Sequence, residues 1–284
     1  MGESPYPLGR RRHELGIITI SRETGSLGDA AARLLAEKLQ YTLVDRGALE
    51  KIIDGEKFPD IPLEQFDEQS PSFWENFTSG KDVYLDRLRT AILEAAIVGD
   101  VVFLGRGAQF ILAGVPGVFR VRLMAGRDIR VKRVSKVLDC DMKTAERYCK
   151  RSDYDRKGYS RFFFRGHWAN SDSYEITLCT SYLSVEVATE ILLQAYKASS
   201  AESEDGTAVL ANRFLAQVVR NRILYVRNIP VDLLEVEATD GHVSIRGTVT
   251  TQDAVQYCEE AAGTVKGVRA VDTEIYFINP VMTY

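Results

Sequence analysis

Along the first two thirds of the chain, short apolar runs alternate with longer segments that carry apolar residues at helical spacing. The short runs are rich in β-branched residues and predict buried strands. They lie at residues 17–20, 41–44, 101–104, 119–124 and 174–179. The segments between them predict helices, as at 82–96, where leucine, isoleucine and alanine recur every three or four positions. This alternation predicts a doubly wound α/β domain with a parallel five-stranded sheet over residues 16–198.

The last quarter of the chain has a different pattern. Apolar and polar residues alternate on both sides of Asp240-Gly241, which predicts a β-hairpin. The predicted elements are a helix at 210–222, strands at 234–239 and 243–249, a helix at 254–265 and a strand at 271–277. They form a smaller α+β domain of order αββαβ. Residues 199–208 are small and acidic with no apolar pattern, which is typical of a linker between domains.

The first strand leads into a glycine-containing turn and then into a helix. Gly25 and Gly28 lie in the turn, and Asp29 is suited to the N-cap of a helix that ends at Leu39. This layout places backbone N–H groups and a helix N-terminus against a phosphate. It departs from the standard pattern G-x-x-x-x-G-K-[ST], because Gly28 and Asp29 stand where a lysine and a hydroxyl residue are required. An ordinary strand-to-helix turn is the alternative interpretation.

Polar residues follow two of the other predicted strands. In an open α/β sheet, residues just past the carboxyl end of a strand face the ligand crevice. Asp45 is therefore a candidate for contact with a ligand or with the water of a bound metal; the alternative is a helix N-cap for 46–53. Arg106, between Gly105 and Gly107, places a guanidinium at the rim of the crevice. Arginine binds phosphate in a bidentate manner, whereas an ordinary surface arginine is the alternative.

Two further segments suggest parts that close over a ligand. Residues 54–80 are irregular and contain three prolines, which is typical of a mobile binding element or lid. From Asp141 onward the chain is dense in charge, and Arg147 and Arg151 lie one helical turn apart. A basic helix face suits a lid over a polyphosphate, although a charged face is more often simply solvated.

Composition excludes several classes. The 284 residues carry a net charge of −4, so we expect no nucleic-acid partner. No apolar run approaches a membrane span and no signal peptide opens the sequence, so we expect a cytoplasmic protein without a transmembrane segment. The four cysteines are scattered, which predicts reduced thiols, and the three histidines lie far apart in sequence. No residue is predicted as a direct metal ligand.

Residues 16–198 resemble the cytidylate kinase-like branch of the P-loop nucleoside monophosphate kinases. The resemblance rests on 18–28, Asp45-Arg46, 105–108 and the stretch 151–156. It implies a P-loop kinase-like fold and transfer of a phosphoryl group from ATP to a nucleoside monophosphate, typically CMP or dCMP, with Mg²⁺. It also implies that the donor phosphates are cradled by Arg22, Glu23, Thr24, Gly25, Ser26, Leu27, Gly28 and Asp29.

The same resemblance implies roles for the other polar residues. Arg106 would contact the acceptor phosphate, and Arg151 and Arg156 would clamp the transferring group from the lid. With Arg22, these are the predicted catalytic residues. The predicted substrate-binding residues are Asp45, Arg46, Gly105, Arg106 and Gly107.

The sequence departs from the family pattern in the turn. True cytidylate kinases have a lysine at the position of Gly28 and serine or threonine at Asp29, and the looser branch often has a glycine where Leu27 stands. The strand before Gly105 ends in Leu104 and not in an acidic residue. Phosphoryl transfer requires cations, so we hypothesise that Arg22 replaces the lysine.

The C-terminal segment, residues 209–279, resembles the BON domain. Asp240-Gly241, Gly247-Thr-Val249 and Val265-Lys-Gly267-Val268 occupy its characteristic places. Such domains are non-catalytic, and the resemblance implies binding of phospholipid, another ligand or a protein. Residues 1–15 are expected to form a polar N-terminal tail.

Two functions of different classes follow from this organisation. The first is ATP-dependent phosphorylation of a nucleoside monophosphate, with the BON domain as a binding or regulatory module. The second is a catalytically inactive nucleotide-binding sensor that acts through the BON domain, which the missing lysine favours. A structural interaction protein with an inactive nucleotide fold is a third interpretation.

Overall fold

The computed structural model describes residues 16–54, 80–202 and 204–278. The predicted N-terminal tail at 1–15 and nearly all of the predicted binding element at 54–80 lie outside the described residues. The described residues form two sheets, each with helices packed against it.

The first sheet has five parallel strands in the described part of the chain. They are β1 (Ile17–Arg22), β2 (Thr42–Val44), β3 (Val101–Leu104), β4 (Val118–Met124) and β5 (Ile176–Cys179). Their order is β2-β3-β1-β4-β5, which places β1 at the centre. Ile18 is paired with Val102 on one side and with Phe119 on the other. The predicted doubly wound parallel sheet is confirmed.

Helices cover both faces of this sheet. They are α1 (Gly28–Leu39), α2 (Arg46–Asp54), α3 (Lys81–Val98), α4 (Ala108–Ile111), α5 (Arg127–Leu138), α6 (Met142–Phe164) and α7 (Val185–Glu202). Side chains of successive strand residues point to opposite faces, so Ile17 packs in one apolar cluster and Ile18 in another. With both faces buried, the carboxyl edge of the sheet is where polar groups meet.

The C-terminal domain is built on the predicted αββαβ order. Its elements are α8 (Thr207–Asn221), a π-helix (Arg222–Val226), β6 (Asp232–Thr239), β7 (His242–Val249), α9 (Asp253–Gly263) and β8 (Ala270–Phe277). β6 and β7 are antiparallel, and β7 and β8 are parallel. Asp240 and Gly241 both have positive φ, 50° and 84°, as a tight hairpin turn requires.

The junction between the two domains differs from a simple linker. Helix α7 continues to Glu202, so it includes the first residues of the predicted linker at 199–208. Helix α8 begins at Thr207, and Leu210 packs in the same cluster as residues of the first domain. The N-terminal part of α8 therefore contributes to the core of the first domain.

Candidate functional site

The turn between β1 and α1 passes through two left-handed residues. Gly25 has a φ of 80° and Leu27 a φ of 64°. A Cβ on Gly25 would lie 2.8 Å from the carbonyl oxygen of Arg130, so this position requires glycine for space as well as for its backbone conformation. Leu27 adopts the same conformation with a side chain, which strains the turn. The turn delivers the chain to the N-terminus of α1, where the first N–H groups have no carbonyl partners within the helix.

Side chains from neighbouring elements hold the carbonyl groups of this turn. The carbonyl oxygens of residues 24–26 accept, in order, from Arg130 Nε over 2.9 Å, Arg133 Nη1 over 3.2 Å and Thr180 Oγ1 over 2.7 Å. The carbonyl side of the turn is thus fixed by donors from α5 and from the end of β5. A fixed turn ahead of a helix N-terminus is the arrangement that binds phosphate groups.

Arg22 ends β1, and its side chain lies across Gly28. A Cβ on Gly28 would collide with the Cβ of Arg22. Arg22 Nη2 donates to Asp29 Oδ1 over 2.9 Å. Burial of the Asp29 carboxylate works to raise its pKa, but the Arg22 guanidinium outweighs burial and holds the pKa below its ordinary value. A cation from the strand therefore lies beside Gly28, and a carboxylate is paired with it.

The chain after β3 turns through three consecutive residues with positive φ. The angles are 80° at Gly105, 54° at Arg106 and 74° at Gly107. Phe164 packs so closely on Gly107 that a Cβ there would collide with its ring. The left-handed conformation of Arg106 is strained for a residue with a side chain, and such strain is found at functional sites. The Arg106 side chain is only 8% exposed and lies 3.8 Å from the Glu50 carboxylate.

Asp45, at the end of β2, makes the helix-cap contact that was one of its two interpretations, whereas its contact with a ligand or with metal-bound water stays a prediction. Its Oδ1 accepts from the backbone N–H of Ala48 over 3.1 Å, which is an N-cap contact at the start of α2. It also lines a cavity at the carboxyl edge of the sheet. Arg46 follows it and is paired with Glu50 over 2.7 Å.

The side chains at these strand ends converge on one cavity of about 230 Å³. Its lining consists of Arg22, Asp29, Arg33, Asp45, Arg46, Gly47, Leu104 and Arg106. A narrower cavity shares Arg22 and Arg106 and adds Gly105, Gly107 and Arg156 to the lining. The structure thus brings together predicted site residues from three strand ends, from α1 and from the helix predicted to form the lid.

Arg33 is a lining residue that the sequence analysis missed. It lies on α1, one helical turn after Asp29, so the two side chains share a helix face. That spacing was readable from the sequence once Asp29 was a candidate. The arginine count of the cavity therefore rises to four.

Helix α6, which is predicted to form a lid, contacts the turn between β1 and α1. Ser152 Oγ lies 2.7 Å from Thr24 Oγ1, and Arg156 Nη1 donates to the same hydroxyl oxygen over 2.6 Å. Asp153 accepts from Arg130 Nη2 over 2.6 Å. Burial raises the pKa of the Asp153 carboxyl above its ordinary value, although the Arg130 guanidinium opposes the rise.

Seven of the predicted site residues do not line either of these two cavities: Glu23, Thr24, Gly25, Ser26, Leu27, Gly28 and Arg151. The Arg151 side chain is 63% exposed and paired with Asp155 over 3.1 Å. Glu23 faces away from the cavities and is bracketed by Arg122 at 3.3 Å and Arg130 at 2.9 Å. In this structure Glu23 anchors the turn to β4 and α5, and its predicted contact with donor phosphates stays a prediction.

The described residues contain no group of three or more histidine, cysteine, aspartate or glutamate side chains able to hold a metal ion. Asp29 and Asp45 nevertheless line the same cavity. Mg²⁺ in phosphate sites is commonly bound by one or two carboxylates together with waters and phosphate oxygens. These residues fit that manner of binding.

A parallel sheet with a glycine-containing turn and a helix N-terminus after its central strand, and with arginines gathered at its carboxyl edge, defines a nucleotide-binding domain of the kinase-like type. The chain belongs to the cytidylate kinase-like family, whose model matches residues 17–182. The BON domain model matches residues 214–278. Both predicted resemblances are confirmed, in the predicted order along the chain.

The first domain is similar to several solved structures. An uncharacterized protein from Eubacterium ventriosum is 25% identical, with 64% of this chain and 99% of that chain covered and a TM-score of 0.52. A shikimate kinase from Bacteroides thetaiotaomicron is 13% identical, with 64% and 99% covered and a TM-score of 0.39. A gluconokinase from Sinorhizobium meliloti is 13% identical, with 67% and 97% covered and a TM-score of 0.39. No curated protein matches this chain. Within the described ranges, none of the helices has the length and apolar character needed to span a bilayer.

Proposed function

We propose that this protein transfers a phosphoryl group from ATP–Mg²⁺ to a nucleoside monophosphate of the CMP or dCMP type. The observation that carries the proposal is that Arg22, Arg106 and Arg156 line one narrow cavity beside the phosphate-binding turn. Phosphoryl transfer depends chiefly on positioning and on stabilisation of the negative charge in the transition state. Three guanidiniums from separate elements supply both.

The donor nucleotide would be held at the turn. Backbone N–H groups at the N-terminus of α1 would bind its phosphates, and Arg22 would supply the charge that a lysine brings in the standard pattern. The Mg²⁺ would be held by the phosphates with Asp29 and Asp45, and would neutralise the charge that develops on the transferred group. Binding of the nucleotide would draw Arg22 away from Asp29, because both phosphate and metal compete for that ion pair.

The acceptor would occupy the larger cavity. Arg33, Arg46 and Arg106 line it from three different elements, which suits a phosphate dianion. The cytidylate kinase-like family supports a cytidine nucleotide as the acceptor.

A nucleotide-binding sensor without turnover is the second candidate. The Arg22–Asp29 pair favours it, because an arginine committed to a carboxylate contributes less charge to a phosphate. We further propose that the BON domain is a binding or regulatory module for phospholipid, another ligand or a protein, and that the protein is cytoplasmic.

Calorimetric titration with ATP–Mg²⁺ and with CMP, together with a coupled assay for ADP release, separates the two candidates. The kinase predicts binding of both nucleotides and CMP-dependent ADP release; the sensor predicts binding without release. Arg106→Ala should abolish CMP binding. Arg246→Ala is the matched control, since Arg246 lies on β7 and is paired with Glu274. Absence of nucleotide binding by the unsubstituted protein would overturn both candidates.

A further inference from the structure

A cleft of about 780 Å³ lies between the two domains. Its walls are formed by α3, the C-terminal end of α6, α8 and β6. The volume falls within the range of about 300–1,000 Å³ that is typical of small-molecule sites. The cleft is separate from the sheet-edge cavities, whose linings contain Arg22 and Arg106.

Three arginines from different elements line this cleft. They are Arg89 of α3, Arg165 at the end of α6 and Arg213 of α8. Arg213 Nη1 donates to the main-chain carbonyl of Ala113 over 2.7 Å. Burial lowers the pKa of Arg213, because removal from water disfavours the charged form of its guanidinium. An anion in the cleft would supply the compensating charge.

The positive charge of Arg89 is also only partly neutralised by the neighbouring carboxylate of Asp86. Its Nη1 lies 3.8 Å from Asp86 Oδ1, while Arg220 Nε lies 3.0 Å from the same oxygen. One carboxylate therefore faces two guanidiniums. The Arg89 side chain is 42% exposed, so its guanidinium is accessible to a ligand in the cleft.

The lining also carries acceptors and an aromatic surface. Glu235 and Glu237 of β6 line the cleft, as does Asp82 near the start of α3. Phe110 and Phe164 also line it, with their ring centroids 5.3 Å apart in a stacked arrangement. A ligand that suits this lining has an anionic group together with hydroxyl or amino donors.

We propose that the interdomain cleft is a second ligand site, which binds a phosphorylated small molecule of the nucleotide or sugar-phosphate type. Its phosphate contacts Arg89, Arg165 and Arg213, because guanidiniums bind phosphate with charge-assisted hydrogen bonds. Its hydroxyl or amino groups donate to Glu235 and Glu237. The ligand bridges the two domains, so its binding stabilises their contact.

Thermal unfolding and calorimetry of the full chain, without Mg²⁺, test this site. The probes are AMP, GMP, CMP and ribose 5-phosphate. The cleft variant is Arg89→Gln/Arg165→Gln, which spares the carbonyl contacts of Arg213. The sheet-edge variant is Arg106→Ala, and Arg246→Ala is a surface control. Circular dichroism of each variant verifies that it is folded.

We expect at least one probe to raise the Tm of the unsubstituted protein by a few degrees at saturating concentration. That rise should survive Arg106→Ala, and the affinity should fall about tenfold or more in the cleft variant. Three results would each overturn the proposal. In the first, no probe binds. In the second, every rise in Tm disappears with Arg106→Ala, and in the third, every rise in Tm persists in the cleft variant. These outcomes are independent of whether the sheet-edge site transfers phosphate.

Discussion

At the residue scale, Arg22 lies beside Gly28, where we propose that it takes the place of the lysine of the standard pattern. The lysine of the standard pattern extends from the helix, whereas Arg22 extends from the preceding strand and passes over Gly28. The position of Arg22 depends on glycine at 28, because any side chain at residue 28 would displace Arg22. Arg22 is paired with Asp29. In the proposed role, a bound phosphate would replace that carboxylate as the partner of Arg22.

Replacement of Arg22 tests this role. Arg22→Met should lower the affinity for ATP–Mg²⁺ by about tenfold or more, because a charge-assisted hydrogen bond to phosphate is lost. Arg22→Lys keeps a charge and should lose less. Calorimetric titration measures both, with Arg246→Ala as control. An affinity unchanged in Arg22→Met would remove Arg22 from the site.

Leu27 offers a test of stored strain. A left-handed leucine costs roughly 1–2 kcal/mol, whereas glycine costs roughly 0.5–1 kcal/mol in chain entropy. We expect Leu27→Gly to raise the free energy of unfolding by up to about 1 kcal/mol, measured by urea denaturation. Leu138→Gly, at the last residue of α5, should instead lower it by about 1 kcal/mol. Equal destabilisation by both substitutions would contradict strain at Leu27.

Among the elements, helix α6 shows which of its faces contacts the turn between β1 and α1. Arg147 and Arg151 are four residues apart and share one face of α6, but Ser152 and Arg156 share the face that contacts the turn. Residues 151 and 156 differ by about 140° around a helix, which is why Arg156 contacts the turn while Arg151 is exposed. The charge density predicted a lid, but which face packs inward depends on the tertiary contacts.

Asp153 gives the lid contact a pH dependence. Its raised pKa means that the folded state takes up a proton at a higher pH than the unfolded state does. As pH falls from 7 toward the ordinary pKa of an aspartate, the folded state binds more protons, so this group favours folding increasingly. The Tm of the unsubstituted protein minus that of Asp153→Asn should therefore increase over that interval. Scanning calorimetry at several pH values measures it; a constant or decreasing difference would contradict the raised pKa.

The elements themselves were largely predictable. β-Branched runs bounded by turn residues identified the parallel strands, because such strands are buried on both faces and need no alternation. Asp45 and the Gly105-Arg106-Gly107 turn were found because polar residues at strand ends meet at one edge. Arg130, which holds both the turn and Asp153, carried no local signal, since its partners are distant in sequence.

At the scale of the whole molecule, Asp86 connects the two domains. It is 1% exposed on α3 and accepts hydrogen bonds from Gln217, Arg220 and Tyr225 of the C-terminal segment, over 3.1, 3.0 and 2.7 Å. Burial and the Asp86 carboxylate raise the pKa of the Tyr225 phenol, so it donates its proton to this contact. The apolar spacing of 82–96 does not include Asp86, and nothing local in the sequence shows that α8 covers this position.

Loss of this carboxylate should be costly. Asp86→Asn leaves Arg220 without its charge partner in a largely buried contact, which typically costs about 3–5 kcal/mol. Urea denaturation should show that loss, whereas Asp272→Asn on the exposed side of β8 should change stability by less than about 0.5 kcal/mol. Similar effects of the two substitutions would show that the domains do not depend on Asp86.

The most direct test of the central claim is transfer of labelled γ-phosphate from ATP to CMP, followed by separation of the nucleotides. We expect Mg²⁺-dependent label in a cytidine diphosphate with the unsubstituted protein and with Arg246→Ala. We expect the rate of transfer to fall at least about a hundredfold with Arg106→Ala, because a donor to the acceptor phosphate is removed from the transition state. Binding of both nucleotides with no labelled product, or equal transfer by Arg106→Ala, would contradict the proposed kinase activity.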